Sequence, residues 1–189
     1  MVHETQMILN LMWGALGVYW LWNAPRSGSS VTSEAGRWRV MRLSILALTF
    51  ILLLSPWLRM GWLGRRFVPD AEAGRALGLS ITALGILLCV WARLHLGKYW
   101  SDKVVLKVDH RLIRSGPYRF LRHPIYSGVL LGILGTALAV GEWRGVVALA
   151  MMSVNYFVKA RREERVLAGQ FGEEFAEYAR SAGFLVPRW

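Results

Sequence analysis

The chain changes from a basic to an apolar sequence within one stretch, Gly116-Pro117-Tyr118-Arg119-Phe120-Leu121-Arg122-His123-Pro124-Ile125-Tyr126-Ser127-Gly128. Residues 96–123 contain seven lysines and arginines, whereas residues 124–140 contain no charged side chain. Such a change is typical of a chain that passes from water into a bilayer. The stretch therefore places its most reactive side chains, including His123 and Tyr126, at a membrane boundary.

The composition agrees with a membrane protein of one domain, residues 1–189. The chain is 54% hydrophobic, it contains ten tryptophans, and its mean hydropathy is +0.34. Apolar runs predict an all-α, polytopic membrane fold with five transmembrane helices, at 7–22, 42–58, 75–95, 124–140 and 144–160. The apolar runs within these segments, about 14–17 residues each, are short against the roughly 20 residues that span a bilayer. Arg42, Arg75 and Arg93 are therefore expected to snorkel to the interfaces.

The basic residues predict the orientation of these helices. Segments 23–40, 96–123 and 159–189 contain three, seven and six lysines and arginines, whereas segments 59–73 and 141–145 contain three and one. The positive-inside rule places the first group in the cytoplasm and the N-terminus outside. Because the positive charges flank apolar runs, the net charge of +11 indicates membrane topology and not a partner nucleic acid.

The start of the fourth predicted helix is a candidate site. Proline suits the first turn of a helix, so the helix should begin at Pro124 with His123 at its cap. The free N–H groups and the dipole of that turn favour an anion or an electron-rich group. The same residues also fit a simple anchoring role, with Arg122 and His123 facing the cytoplasm and Tyr126 in an aromatic belt.

A second candidate follows the fifth predicted helix. Lys159, Arg162 and Glu163 share one face if the helix continues, and no helix breaker occurs before Gly169. A carboxylate next to a membrane span is costly unless it is paired or functional. The alternative is a structural i,i+4 pair between Lys159 and Glu163, worth about 0.3–0.5 kcal/mol. Further on, aromatic residues at 171, 175 and 178 predict a C-terminal amphipathic helix that anchors to the surface or covers a site.

No metal site is predicted. The four histidines, His3, His95, His110 and His123, have spacings that match no structural zinc pattern. The single cysteine, Cys89, excludes a disulfide framework and a cysteine-based metal site. A nucleotide-binding glycine loop is also absent from the sequence.

Four stretches of the C-terminal half resemble the isoprenylcysteine carboxyl methyltransferase family, in its short prokaryotic form: Leu96–Ser101, His110–Tyr118, Arg122–Gly128 and Glu163–Tyr178. The resemblance implies a helical membrane enzyme that binds S-adenosylmethionine and releases S-adenosylhomocysteine. It also implies that residues of about 96–189 enclose the cofactor on the cytoplasmic side of a prokaryotic cell membrane.

The resemblance also implies specific residues. Those matching the cofactor contacts of the family are Lys103, His110, Arg111, Leu112, Ile113, Tyr118, His123, Pro124, Ile125, Tyr126, Glu163 and Glu164. A basic residue of the eukaryotic enzymes orients the substrate carboxylate, and its position is taken here by Lys159. Since an ammonium lacks the fork of a guanidinium, Arg162 is a second candidate for that role.

The expected reaction is methyl transfer to a lipophilic acceptor, with a carboxylate favoured. Alternatives with the same cofactor site are a phospholipid amine N-methyltransferase and a small-thiol S-methyltransferase. A non-catalytic, lipid-binding membrane protein and a nicotinamide-dependent reductase are alternatives from other classes. The bilayer and the acceptor are the expected partners, and the sequence does not indicate an oligomeric state.

Overall fold

A computed structural model describes residues 2–23, 36–97 and 112–188, and in these residues the fold is all-helical. The described residues form six α-helices: α1 (Val2–Asn23), α2 (Gly36–Leu54), α3 (Glu72–Leu96), α4 (Pro124–Val140), α5 (Trp143–Phe171) and α6 (Glu173–Ser181). Short 3₁₀ turns lie at Pro56–Leu58, Gly61–Gly64 and Gly116–Arg119. The prediction of an all-α fold is confirmed for the described residues. The predicted C-terminal amphipathic helix is present as α6, but Phe171 is the last residue of α5 and not part of it.

The prediction of five membrane-crossing helices is not confirmed. Each predicted segment falls largely within one of the helices α1 to α5. In the described part of the chain, however, α3 alone is both long and apolar enough to cross a membrane. Helix α4 is apolar but has 17 residues. The five-span topology and the orientation therefore stay predictions.

Helices α3 and α4 pack backbone to backbone through small residues. A Cβ added to Gly85 would lie 2.4 Å from the backbone nitrogen of Gly132, and one added to Gly135 would lie 2.4 Å from that of Thr82. Such close approach is typical of helix pairs in membranes. The hydroxyl of Thr82 also contacts that of Thr136 at 3.3 Å, and the indole of Trp13 donates to Thr136 at 3.0 Å.

A tight hairpin joins α4 to α5. Gly141 ends α4 in the left-handed region, with φ of 69°, and α5 begins two residues later. Arg144 is fully buried beneath this turn, where it donates to Glu142 and to carbonyl groups at the end of α2. The hairpin therefore returns the chain to the level of residue 123, and α5 continues past Gly169 to Phe171.

The expectation that Arg42, Arg75 and Arg93 snorkel to the interfaces is wrong. Arg42 and Arg93 are buried, with 8% and 4% of their surface exposed, and do not snorkel outward. Arg93 instead donates to the carbonyl groups of Gly97 and Asn23, at 2.8 and 3.1 Å. Because these carbonyl groups end α3 and α1, the guanidinium satisfies helix ends inside the fold. The side chain of Arg75 is likewise only 12% exposed.

We predict that Gly85→Ala destabilises the protein by about 1–3 kcal/mol, since its methyl group would collide with backbone atoms of α4 that cannot move away easily. Gly74→Ala is the matched control in the same helix, because nothing lies within 4 Å of its Cβ. Thermal unfolding in detergent, followed by circular dichroism, measures both. Equal melting temperatures for the two variants would contradict this account of the helix contact.

Candidate active site

The candidate site begins where α4 begins. Pro124 is the first residue of the helix and His123 is its N-cap, as predicted from the sequence. The segment before it is fixed by the C-terminal segment, because the N–H of Arg122 donates to Gly183 at 2.8 Å and the N–H of Gly183 donates to Phe120 at 3.0 Å. These contacts hold the buried imidazole of His123 facing α5.

Two neighbouring carboxylates of α5 flank this imidazole. Nδ1 of His123 lies 3.6 Å from Glu163, and Nε2 lies 3.4 Å from Glu164. Burial opposes a charge on His123, but hydrogen bonds and attraction from both carboxylates outweigh it, so the pKa of His123 is raised. The structure thus brings three of the predicted cofactor residues into direct contact.

Tyr126 extends this contact toward the middle of the bundle. Its hydroxyl donates to Glu163 at 2.5 Å. Its ring stacks on His123 at 5.4 Å and on Tyr156 at 4.5 Å between centroids, with interplanar angles of 5° and 14°. We call His123, Tyr126 and Tyr156 the ring column. It presents flat aromatic surface beside an ionised carboxylate.

Both carboxylates are held in their charged form. Burial alone would raise the pKa of Glu163, but Lys159, His123 and the Tyr126 hydroxyl together lower it. For Glu164, burial is outweighed by hydrogen bonds and attraction from His123 and Arg122, and its pKa is also lowered. Glu163 and Glu164 are therefore weak bases and strong hydrogen-bond acceptors.

Arg122 connects the site to α6 and the C-terminal segment. Its Nε donates to Glu164 at 2.6 Å, and a terminal nitrogen donates to Ala179 at 3.0 Å and to Ala182. Phe184 then packs its ring edge-on against His123, at 5.3 Å, and beneath the guanidinium of Arg161, at 4.7 Å. The last described residues therefore cover one side of the carboxylate pair.

The two predicted substrate-orienting residues lie on the other side. Nζ of Lys159 is 3.8 Å from Glu163 and 5.0 Å from the centre of the Tyr126 ring. The guanidinium of Arg162 lies 3.8 Å above the indole of Trp38 in α2. The i,i+4 pair between Lys159 and Glu163 is thus present, but it belongs to a larger cluster.

The remaining predicted residues either lie around this cluster or fall outside the residues that the structure describes. Tyr118, Pro124 and Ile125 are buried. Ile113 packs against the apolar cluster that contains Tyr118, Ile125 and Tyr126, and Leu112 packs against α6. Lys103, His110 and Arg111 lie outside the described residues. Within the described ranges, no three histidine, cysteine or acidic side chains are grouped to hold a metal ion.

Sequence reasoning missed several residues that complete the site: Arg122, Tyr156, Arg161 and Phe184. Tyr156 had a signal, because it precedes Glu163 by seven residues and so shares its face of α5. Arg122 belongs to the stretch that was singled out, without an assigned partner. Phe184 had no signal, since its contact depends on how the C-terminal segment folds back.

A family model described as phospholipid methyltransferase matches residues 73–174, which run from α3 to the start of α6. The chain belongs to the phospholipid methyltransferase family. The matched segment contains the ring column, Glu163 and Glu164. The centre of the candidate site thus lies within the segment that matches this family of methyltransferases, whereas Phe184 lies beyond it.

Individual relatives extend the match. The cobalt-zinc-cadmium resistance protein CzcN of Cupriavidus metallidurans is 35% identical over 155 residues, which are 81% of this chain and 63% of that protein. Protein-S-isoprenylcysteine O-methyltransferase B of Arabidopsis thaliana is 26% identical over 191 residues, covering 97% of this chain and 92% of that protein. The chain thus spans less than two thirds of the first relative and most of the second.

A solved structure shows the same fold. The eukaryotic intramembrane Ras methyltransferase, isoprenylcysteine carboxyl methyltransferase, aligns with a TM-score of 0.54 and 22% identity. The alignment covers 83% of this chain and 54% of that one. Together with the sequence relatives, it confirms the resemblance to the isoprenylcysteine carboxyl methyltransferase family.

We predict that stability peaks at mildly acidic pH. Because the pKa of His123 is raised in the folded state, its contribution is complete below its ordinary value of 6.5 and is lost as pH rises through the folded pKa. Because the pKa values of Glu163 and Glu164 are lowered, their contribution is complete above 4.5 and is lost as pH falls. Melting temperatures measured from below pH 4.5 to above pH 6.5 report both losses of stability, which we call the acidic limb and the alkaline limb.

The alkaline limb should disappear in His123→Gln and persist in the control His95→Gln, whose exposed ring has no carboxylate partner in the described residues. An equal alkaline decline in wild type and His123→Gln would contradict the assignment of that limb to His123.

Proposed function

We propose that the protein transfers the methyl group of S-adenosylmethionine to the carboxylate of a lipophilic acceptor at a membrane boundary. The observation that carries this proposal is the contact of His123 and Tyr126, at the start of α4, with Glu163 of α5. It joins an ionised carboxylate to aromatic ring faces at the end of apolar helices. Membership of a methyltransferase family gives that arrangement a chemical use.

The residues fit the proposed cofactor. When bound, S-adenosylmethionine supplies a methyl group on a positively charged sulfur, together with an ammonium group and sugar hydroxyls. Glu163 is ionised and accepts hydrogen bonds, which suits the ammonium or the hydroxyls. Because Tyr126 is stacked between His123 and Tyr156, the outer face of Tyr156 is the one that attracts a cation such as the sulfonium. We assign Glu163, Tyr126 and Tyr156 to the cofactor.

The other side of the ring column is positively charged, which favours an anionic acceptor. Nζ of Lys159 lies 5.0 Å from the Tyr126 ring, and Arg162 follows about one turn later on α5, over Trp38. Arg42 is buried in α2 one turn after Trp38. Among the described residues Arg162 forms no ion pair with a carboxylate, and its guanidinium stacks on the indole of Trp38. A buried or interfacial cation of this kind is stabilised by an anion. We assign Lys159 and Arg162 to holding the acceptor carboxylate.

A carboxylate acceptor also matches the acid–base state of the site. Such an acceptor is ionised at neutral pH and needs no general base, whereas Glu163 and Glu164 have lowered pKa values and remove protons poorly. The cofactor would supply the methyl group, and an ionised acceptor oxygen would accept it without loss of a proton. The residues serve to hold the acceptor in line and to exclude water from it.

The second candidate is methylation of a phospholipid amine. The matched family model is described as phospholipid methyltransferase, which favours it. This reaction requires loss of a proton from the amine, with Glu163 or Glu164 as base. The lowered pKa values and the surrounding cations make the carboxylate acceptor our first choice.

We predict that Glu163→Gln weakens binding of S-adenosylmethionine by about 1–3 kcal/mol, or roughly five- to 150-fold, through loss of charged hydrogen bonds. Tyr126→Phe should act in the same direction with a smaller effect. Isothermal titration calorimetry of the purified protein measures both, with NADPH as the comparison ligand.

Glu173→Gln is the control, since this carboxylate of α6 is exposed and pairs with Arg180. Unchanged affinity for S-adenosylmethionine in both Glu163→Gln and Tyr126→Phe would show that the cofactor does not bind at this site. A heat of binding with NADPH and none with S-adenosylmethionine would contradict the proposal and indicate a reductase instead.

We predict that Arg162→Gln raises the KM for an anionic lipophilic acceptor about tenfold and leaves cofactor affinity unchanged. The assay follows methyl transfer to a prenylated cysteine carboxylate, a phospholipid amine and a lipophilic thiol. Arg165→Gln is the control, because Arg165 is exposed on the same helix. Preferred methylation of the amine, or an equal effect of both substitutions, would contradict the acceptor assignment.

A further inference from the structure

A second polar cluster lies at the end of the helices opposite to the candidate active site. Arg59, Arg66 and Arg75 line one cleft, together with Thr5, Gln6, Leu9, Asp70, Ala139 and Val140. Val140 follows Tyr126 by fourteen residues, which places the cleft about 21 Å away along α4. The proposed methyl transfer therefore makes no use of these arginines.

The arginines of this cleft are fixed by the loop between α2 and α3. Nε of Arg66 donates to the carbonyl of Val68 at 3.0 Å, and its terminal nitrogen lies 3.5 Å from Asp70. Nε of Arg59 lies 3.2 Å from Glu142. Since a guanidinium carries five N–H donors, Arg59 and Arg66 keep terminal N–H groups with no acceptor among the described residues.

Positive charge exceeds negative charge in this cluster. Asp70 is shared by Arg66 and Arg75, and Glu142 is shared by Arg59 and the buried Arg144. Glu4 also attracts Arg75. Four guanidinium groups thus face three carboxylates. A cluster with this imbalance is complementary to an anion.

An apolar groove adjoins the cleft. It is lined by His3, Gln6, Met7, Asn10, Leu11 and Leu54, and Gln6 lines both cavities. Met7 and Leu11 are 57% and 65% exposed. On the loop beside Arg59, Trp57 and Trp62 are also exposed, at 84% and 57%. Exposed tryptophans next to arginines are typical of the level of lipid headgroups.

We propose that the cleft and the groove together bind one anionic phospholipid. Its phosphate lies at the mouth of the narrow cleft, on Arg59 and Arg66, and an acyl chain lies along Met7 and Leu11 of α1. The apolar groove beside the arginines favours a lipid over a free phosphate ion. The excess of guanidinium groups favours a net negative headgroup over a zwitterionic one, whose ammonium they would repel.

The test compares two lipids with identical acyl chains. Purified protein in a neutral detergent is titrated with phosphatidylglycerol and with phosphatidylcholine, and bound lipid is counted by native mass spectrometry. We expect wild type to bind phosphatidylglycerol at least about fivefold more tightly. Arg59→Gln and Arg66→Gln should each remove most of this preference. If one of the two variants does not fold, the other still tests the proposal.

Arg65→Gln is the matched control, because Arg65 is exposed next to Arg66 and does not line the cleft. Its affinity for phosphatidylglycerol should match that of wild type. Equal binding of the two lipids by wild type, or an equal loss in Arg65→Gln, would overturn the proposal. So would full displacement of phosphatidylglycerol by inorganic phosphate, which would identify the occupant as a free anion.

Discussion

The imidazole of His123 connects the two helices on which the candidate site depends. It contacts Glu163 on one side and Glu164 on the other, at 3.6 and 3.4 Å. Two adjacent carboxylates in a buried place lose hydration and repel each other, and this cost persists unless cations compensate it. Because His123 supplies part of that compensation from the start of α4, the packing of α4 on α5 and the ionised state of the site arise from the same contacts.

This arrangement limits the chemistry that the site performs well. Carboxylates that are already paired stay ionised and accept hydrogen bonds, but they do not readily take up a proton. A site of this kind suits a reaction in which the protein positions charged groups and moves no proton. Methyl transfer to an ionised oxygen is such a reaction, whereas methyl transfer to a protonated amine is not.

Local sequence signals predicted the positions of the helices better than the contacts between them. Pro124 marked the start of α4 because proline constrains the backbone of its own turn, and the apolar runs located α1 to α5. The family resemblance placed His123 and Glu163 in one cofactor site although forty residues separate them, but it did not predict their direct contact. The stacking of Arg162 on Trp38 and the burial of Arg42 had no local signal, because both depend on how α2 packs against α5. A period in the sequence shows which face is apolar, but not which helix covers it.

The backbone contact of α3 with α4 also fixes the relation between the two polar ends of the fold. Gly85 and Gly132 leave no space for the helices to slide, so the ring column and the arginine cleft keep a separation set by the length of α4. A lipid bound in the cleft would stabilise the folded protein by mass action without contacting the ring column. An effect of that lipid on cofactor affinity transmitted through these two helices would need a second packing of α3 on α4, and the glycine contacts disfavour one.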